Sequence, residues 1–384
     1  MQYRLYGMNV YHERRKIMRK FIALTAGLAM TASLLAGCSS SEPAETTAAE
    51  TTAAEAAETE AEESEAAEGE STEAAEGEAA SGEGLKVALC VTGAVNDMGW
   101  CQSAYEGLKL VEQDLGCEVA YTENVAAADM VAAFTDYAAN GYDVVIGHGF
   151  QFGDPALEVG ELYPDTKFIC IEAEAASDNV ASYVMKCEET GYLEGMLAAS
   201  MSKTGKLGFI GPVQGASLIK IMNGYEDGAK EVNPDIEVQT AWTGSFTDTA
   251  LAKEAATAMI ENGVDVLGHC ANECGTGALN AAEEAGIYAT GDSYDQYELA
   301  PKAILTSAIY NVPELIKTAV TDIQEGNFEG TVKQLGMAEG IVELAPYHDM
   351  ESVIPDDVKA LIEEKAEQIK SGEFVVPCDT TARN

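Results

Sequence analysis

From Leu85 to about Val376, short apolar runs alternate with amphipathic stretches, and glycine or a polar turn separates each from the next. The short runs predict strands at 86–91, 118–122, 144–147, 167–171, 181–186, 206–210, 236–242, 264–268, 287–291 and 303–310. Stretches of helical period predict helices at 101–115, 127–140, 155–162, 188–202, 218–232, 250–262 and 278–285. Strands that are apolar on both faces and alternate with helices belong in parallel sheets covered on two sides. The expected fold class is therefore α/β, doubly wound. Two sets of five strands, separated by the helix at 188–202, favour two similar lobes over one large sheet. After the tenth strand, Val312-Pro313 opens a helix at 314–325, a strand-like run follows at 331–337, and a Pro-started helix spans 355–370. The chain thus visits one lobe, then the other, and returns through a hinge of several crossovers. The expected boundaries are 85–188 plus 311–330 for the N-terminal lobe and 189–310 plus 331–376 for the C-terminal lobe. Ligands in open α/β sheets bind at the carboxyl ends of strands, so two facing lobes would share one cleft.

The alternation breaks down before Leu85. Arg19-Lys20 precedes a mostly apolar run that ends in Leu35-Ala36-Gly37-Cys38. That run is short for a membrane-spanning helix, which needs about 20 residues, and its small-residue exit is that of an export signal. Residues 1–37 are expected to be a lipoprotein signal peptide, with Met18 as an alternative start because Met1 to Ile17 add nothing to such a signal. The four-residue ending resembles the bacterial lipobox, which implies lipidation of Cys38 and anchoring on the extracytoplasmic face of the cell membrane. The stretch 38–84 is almost wholly Ala, Glu, Thr, Ser and Gly, without an aromatic residue, and is expected to be a disordered tether.

Charge follows these divisions. The formal net charge of −43 falls mostly on the region after Gly84, which still carries −33 when the basic start and the fifteen glutamates of 38–84 are set aside. Nucleic acids and anionic membranes are attracted by clustered Lys and Arg, so neither is an expected partner. Cys38 is followed by eight further cysteines. Cys90 and Cys170 fall inside apolar strands, where thiols act as small apolar side chains, so an even count is not by itself a disulfide framework.

Candidate chemistry sits at the strand ends. The first strand is followed by Thr92 to Trp100, including Asp97, and the third by Gly147-His148-Gly149-Phe150-Gln151-Phe152-Gly153-Asp154. The eighth is followed by His269-Cys270-Ala271-Asn272-Glu273-Cys274-Gly275, and the ninth by Gly291-Asp292-Ser293-Tyr294. A carboxylate and an aromatic beside glycines recur in these loops. Aromatics offer flat faces to a planar ring, carboxylates accept hydroxyl or N–H donors, and glycine lets the backbone come close. His269-Cys270-x3-Cys274 lacks the second ligand cluster that a zinc site needs. Walker A, Gly-x-Ser-x-Gly and His-Glu-x-x-His sequences are absent, so neither a cofactor nor an enzyme activity is expected.

Asp97-Met98-Gly99-Trp100, Gly147-His148-Gly149-Phe150 with Asp154, Gly205 to Gly211, Gly224-Tyr225-Glu226-Asp227-Gly228-Ala229, Gly244-Ser245-Phe246-Thr247-Asp248, and Gly291-Asp292 with Leu299-Ala300-Pro301-Lys302 and Leu305-Thr306-Ser307 stand in one order over about 220 residues. In that order the chain resembles the basic membrane protein family, the purine-nucleoside-binding lipoproteins of ABC importers. The resemblance implies a type I periplasmic-binding-protein fold, a purine nucleoside or free purine base as ligand, and ABC permease and ATPase subunits on other chains. It implies that Trp100 and Phe246 hold the base, that Asp97 reads its polar edge, and that Asp154 and Asp292 take ribose hydroxyls with the Gly275 backbone. Tyr310 stands where nucleoside-binding members carry a lysine, which makes a free purine base a credible ligand beside a nucleoside. A nucleoside hydrolase, which needs similar contacts, and a ligand-sensing receptor for a membrane kinase are the alternatives.

Overall fold

The computed structural model describes residues 84–97 and 99–383. The expected signal peptide, the lipidation at Cys38 and the tether up to residue 83 lie outside the described residues, as does Met98. The chain runs β1 (Lys86–Val91), α1 (Trp100–Leu115), β2 (Glu118–Thr122), α2 (Met130–Ala139), β3 (Val144–His148), α3 (Gly153–Leu162), β4 (Lys167–Ile171) and β5 (Val180–Met185). It continues through α4 (Cys187–Met201), β6 (Lys206–Gly211), α5 (Ala216–Val232), β7 (Glu237–Trp242), α6 (Thr249–Glu261), β8 (Val266–His269), α7 (Asn272–Ala285), β9 (Tyr288–Gly291) and β10 (Ile304–Tyr310). It closes with α8 (Val312–Gln324), β11 (Val332–Leu335), β12 (Val342–Leu344) and α9 (Asp356–Lys370).

One sheet has the order β11-β5-β4-β3-β1-β2, with every neighbouring pair parallel. The other has the order β12-β10-β9-β8-β6-β7 and is parallel except for β12, which runs antiparallel to β10. This is the doubly wound α/β class expected from the alternation. The burial pattern explains why the strands read as they do. In β1 and β3, covered on both faces, every residue after Lys86 and every residue from Val144 is buried, whereas the edge strands β2 and β7 keep polar, partly exposed positions.

One boundary is corrected. The sequence placed 331 onward in the second lobe, but β11 pairs with β5 from Val332↔Ser182 to Leu335↔Met185 and extends the first sheet. Helix α8 packs on α1 and delivers the chain to that edge. The Val-Lys-Gln-Leu sequence of β11, with three exposed residues, names no partner of its own. The three-residue β12, not expected from the sequence, then completes the second sheet.

Helix α4 is buried on nearly every side and crosses α5 closely. The crossing is set by glycine. A Cβ on Gly195 would lie 1.9 Å from the Tyr225 carbonyl oxygen, and one on Gly228 would lie 1.9 Å from that of Tyr192. Backbones this close tolerate hydrogen alone as the side chain. The three passages between the lobes are tied to one another. Lys186 N donates to Leu335 O at 2.9 Å, Met337 N to Glu189 Oε2 at 2.7 Å, and Asn311 N to Ile341 O at 2.7 Å. The eight cysteines among the described residues are free thiols, all buried except Cys378. Burial pushes the Cys90 and Cys170 thiols up to about 12, which keeps them protonated and inert.

Candidate functional site

In each sheet the chain leaves the first strand to one side and the third to the other, so β1/β3 and β6/β8 are switch points where the loops diverge. A cavity of about 700 Å³ opens at the carboxyl ends of these strands. Its walls include Thr92, Gly93, Ala94, Asp97 and Trp100 after β1, Gly149 to Gln151 after β3, Glu172 after β4, and the start of α5. Phe246 after β7, Cys270, Asn272 and Glu273 after β8, Asp292 and Ser293 after β9, and Tyr310 at the end of β10 also line it.

Trp100 opens α1, and its indole is stacked on His148 with ring centroids 3.9 Å apart and planes 24° apart. His148 Nε2 donates to Trp100 O at 3.0 Å. Burial pushes this imidazole down to about 3, so it is neutral, and its Nδ1 has no partner. The indole therefore enters the cavity wall with one face already held. Phe246, 36% exposed, reaches the cavity from the second lobe.

Asp97 lines the cavity, but its carboxylate already accepts three backbone N–H groups. Oδ1 takes those of Gly99 (2.9 Å) and Gln102 (3.0 Å), and Oδ2 takes that of Cys101 (3.0 Å). It thereby fixes the start of α1 and of Trp100, and about one of its four lone-pair sites is left for a ligand. Asp292 is different. It is 4% exposed, its Oδ2 accepts from Ser293 Oγ at 2.9 Å, and its Oδ1 has no partner. Burial raises its carboxyl, opposed by His269 and by hydrogen bonding to Ser293. The Tyr310 hydroxyl, 7% exposed, is near enough to favour the charged form of Asp292 without completing a hydrogen bond to it. Burial, with Asp292 nearby, holds that phenol well above its ordinary value and keeps it protonated.

Two expected residues are elsewhere. Asp154 is carried past the cavity by the 3-10 turn Phe150–Phe152 and lies exposed in the first turn of α3. Gly275 is inside α7, where a Cβ would meet His269 Nδ1 at 2.0 Å, so its place is a packing contact behind the wall. Neither lines the cavity in this structure.

Other lining residues escaped the sequence reading. Glu172 adopts a left-handed backbone, with φ 61°, directly after β4. Its Oε1 accepts from Met185 N at 2.6 Å and its Oε2 lies 3.5 Å from Lys220 Nζ. Burial raises the Glu172 carboxyl and Lys220 opposes the rise. Lys220 is itself buried, with Glu188 Oε2 at 3.6 Å and its Nζ donating a hydrogen bond to the Met185 carbonyl. Burial works against its charge, but Glu172 and its other acidic neighbours outweigh that and hold the ammonium charged. A lone lysine within the apolar run Leu218 to Met222 and a glutamate ending a strand were the available signals. Asn272, at φ 50°, was also missed. Its Oδ1 accepts from Trp100 N at 3.4 Å, joining the lobes across the cleft. Among the described residues, no group of three or more His, Cys, Asp or Glu is placed to hold a metal ion, and no helix is long and apolar enough to cross a membrane.

Residues 85–380 match the family model described as ABC transporter substrate-binding protein PnrA-like. A purine-binding protein of Brucella abortus is 33% identical over 293 residues, covering 76% of this chain and 82% of that protein. Basic membrane protein A2 of Borrelia garinii is 30% identical, covering 76% and 88%. A transcriptional activator protein of Bacillus subtilis is also 30% identical, covering 68% and 82%. Among solved structures, an ABC transporter solute-binding protein from Aeropyrum pernix superposes with a TM-score of 0.69 at 27% identity, covering 77% of this chain and 94% of the other. A glucose-galactose-binding protein from Geobacillus stearothermophilus shares the two-lobed type I periplasmic-binding fold at a TM-score of 0.54 and 16% identity, covering 70% and 99%. With residues 85–380 matched and the fold in agreement, the chain belongs to the PnrA-like family of ABC transporter substrate-binding proteins.

Proposed function

We propose that this substrate-binding protein is lipid-anchored through Cys38 on the extracytoplasmic face of the membrane and closes its lobes around a purine nucleoside or free purine base. It then presents the closed form to the permease and ATPase subunits of an ABC importer. The reading is carried by one observation: a cavity of about 700 Å³ at paired switch points, with Trp100 and Phe246 on its walls and the unpartnered Asp292 Oδ1 and Tyr310 hydroxyl beside it. A planar heterocycle gains from stacking on the aromatics, about 1–3 kcal/mol per base in nucleic-acid complexes. The polar pair then fixes its orientation. The name of the Brucella relative supports a purine as ligand, though it speaks only of that protein. No covalent step is involved, because binding energy stabilises the closed arrangement of the lobes.

Thermal-shift screening against purines, pyrimidines, sugars and amino acids tests the ligand class, and stabilisation by sugars or amino acids but not by purines would refute it. With the best purine, Trp100→Ala should weaken binding by more than about 1 kcal/mol, as loss of a buried aromatic anchor does. Asp154→Ala should leave affinity unchanged, because that side chain lies off the cavity wall. Incubation with inosine separates binding from hydrolysis, since free hypoxanthine would appear only if the protein were a hydrolase.

A further inference from the structure

Solute binding leaves the buried charge of Lys220 without a task. This lysine stands on α5 of the second lobe, with its side chain 4% exposed. Its Nζ reaches out of that lobe. It donates to the carbonyl of Met185, the last residue of β5, and lies 3.5 Å from Glu172 Oε2, both in the first lobe. Glu188 Oε2, in the first turn of α4 where the chain has just crossed between the lobes, is 3.6 Å away. Glu172 Oε1 in turn accepts from Met185 N at 2.6 Å, so this ion cluster holds both backbone groups of Met185. The next residue opens the first passage, where Lys186 N donates to Leu335 O at 2.9 Å. The backbones close in on the same place. A Cβ on Gly224 of α5 would stand 2.6 Å from the Glu188 carbonyl oxygen, and one on Gly191 of α4 would stand 2.5 Å from that of Ile221. Helix α5 is thus fastened to α4 by close packing and to the first lobe by one ammonium.

A buried ion cluster is weak evidence of stability, since apolar groups of the same volume often serve as well. What it supplies is geometry. An ammonium that has given up water must keep its acceptors, and these acceptors sit across the boundary between the lobes. The cavity is built on both sides of that boundary. Glu172 and Met185 line it from the first lobe, and Leu218 and Ile221, close to Lys220 along α5, line it from the second. We propose that Lys220 is a positioning residue of the hinge, which pins α5 to the end of β5 and so sets the spacing between the two halves of the cavity wall without touching solute. A rotation displaces least what lies nearest its axis, and the partners of Lys220 stand at the two ends of the first passage. The cluster therefore stays intact as the lobes part and serves as the pin about which they turn. This rests on the lobe closure proposed above and is independent of the solute being a purine.

The test is hydrogen exchange of the full chain without ligand, read by mass spectrometry in the parent, Lys220→Met and Lys220→Arg. Peptides covering 183–188 and 335–337 should exchange about tenfold faster in Lys220→Met, while those of β3 and β8 change little. Lys220→Arg, which keeps the charge and its donors, should recover most of the protection. A role confined to general stability would speed exchange in both sheets alike. If Lys220→Met does not fold, the double variant Lys220→Met with Glu172→Gln, which removes one uncompensated carboxylate, is read in the same way. Unchanged exchange at the passages, or a uniform rise over the molecule, overturns the inference. Calorimetric titration with adenosine then reads the cavity, and Lys220→Met should bind it severalfold more weakly than the parent. Equal affinity in the two overturns the spacing role. A parent that does not bind adenosine counts against the purine reading and leaves the exchange result to decide the hinge.

Discussion

His148 shows how a residue can shape the site without touching solute. It is wholly buried beneath Trp100, and burial depresses its imidazole from 6.5 to about 3. The unfolded chain takes up a proton there as pH falls through about 6.5, while the folded chain refuses it until about pH 3. This group's contribution to stability is therefore fully present above about pH 6.5 and is lost progressively on acidification through that window. Glu172, Glu194 and Asp292, whose carboxyls are raised chiefly by burial, act in the opposite direction, because the folded form takes up their protons first. His148→Gln, which can still donate to Trp100 O, isolates the histidine. Urea midpoints measured from pH 7 to pH 4 should fall less steeply for the variant than for the parent. Parallel curves would mean that the imidazole is not held neutral. At this scale the sequence was partly legible: Asp97, Trp100, Phe246, Asp292 and Tyr310 do line the cavity. Asp154 and Gly275 do not line it, and sequence order does not reveal that a 3-10 turn carries Asp154 past the wall or that α7 already includes Gly275.

Among the elements, strands were easier to read than helix starts. Burial on both faces gives an unbroken apolar run, so β1 and β4 occupy the residues expected of them. Helix α7 begins at Asn272, six residues before the expected start at 278, because Gly275 and Gly277 read as loop. Gly277 is needed there for contact, since a Cβ would stand 1.9 Å from the Thr249 carbonyl oxygen. The same argument governs the crossing of α4 and α5. Gly195→Ala should destabilise the protein by about 3 kcal/mol, at the upper end of overpacking, because the obstruction is backbone that cannot rotate away. Chemical denaturation would check this, and a loss below about 0.5 kcal/mol would mean that the helices separate easily. The partners of β11 and β12 were not legible, because short edge strands with polar residues carry no code for the sheet they join.

For the whole molecule, the contact across the cleft matters most. Asn272 Oδ1 meets Trp100 N, and a Cβ on Gly99 would stand 2.4 Å from the same oxygen, so the two lobes touch at the mouth. Asn272→Gly keeps the left-handed backbone and removes the acceptor. Ligand should then dissociate severalfold faster with little change in association, which stopped-flow displacement would resolve, and unchanged dissociation would show that the contact does not hold the lobes together. On the opposite side, the three hydrogen-bonded passages act as one hinge leaf rather than three independent linkers. Chains tied side by side bend together far more readily than they twist. On the closing movement proposed above, such a leaf would swing the lobes along one arc and bring Trp100 and Phe246 back into the same register. The Asn272 contact and the hydrogen-bonded passages thus tie the lobes together at two separate places along the chain.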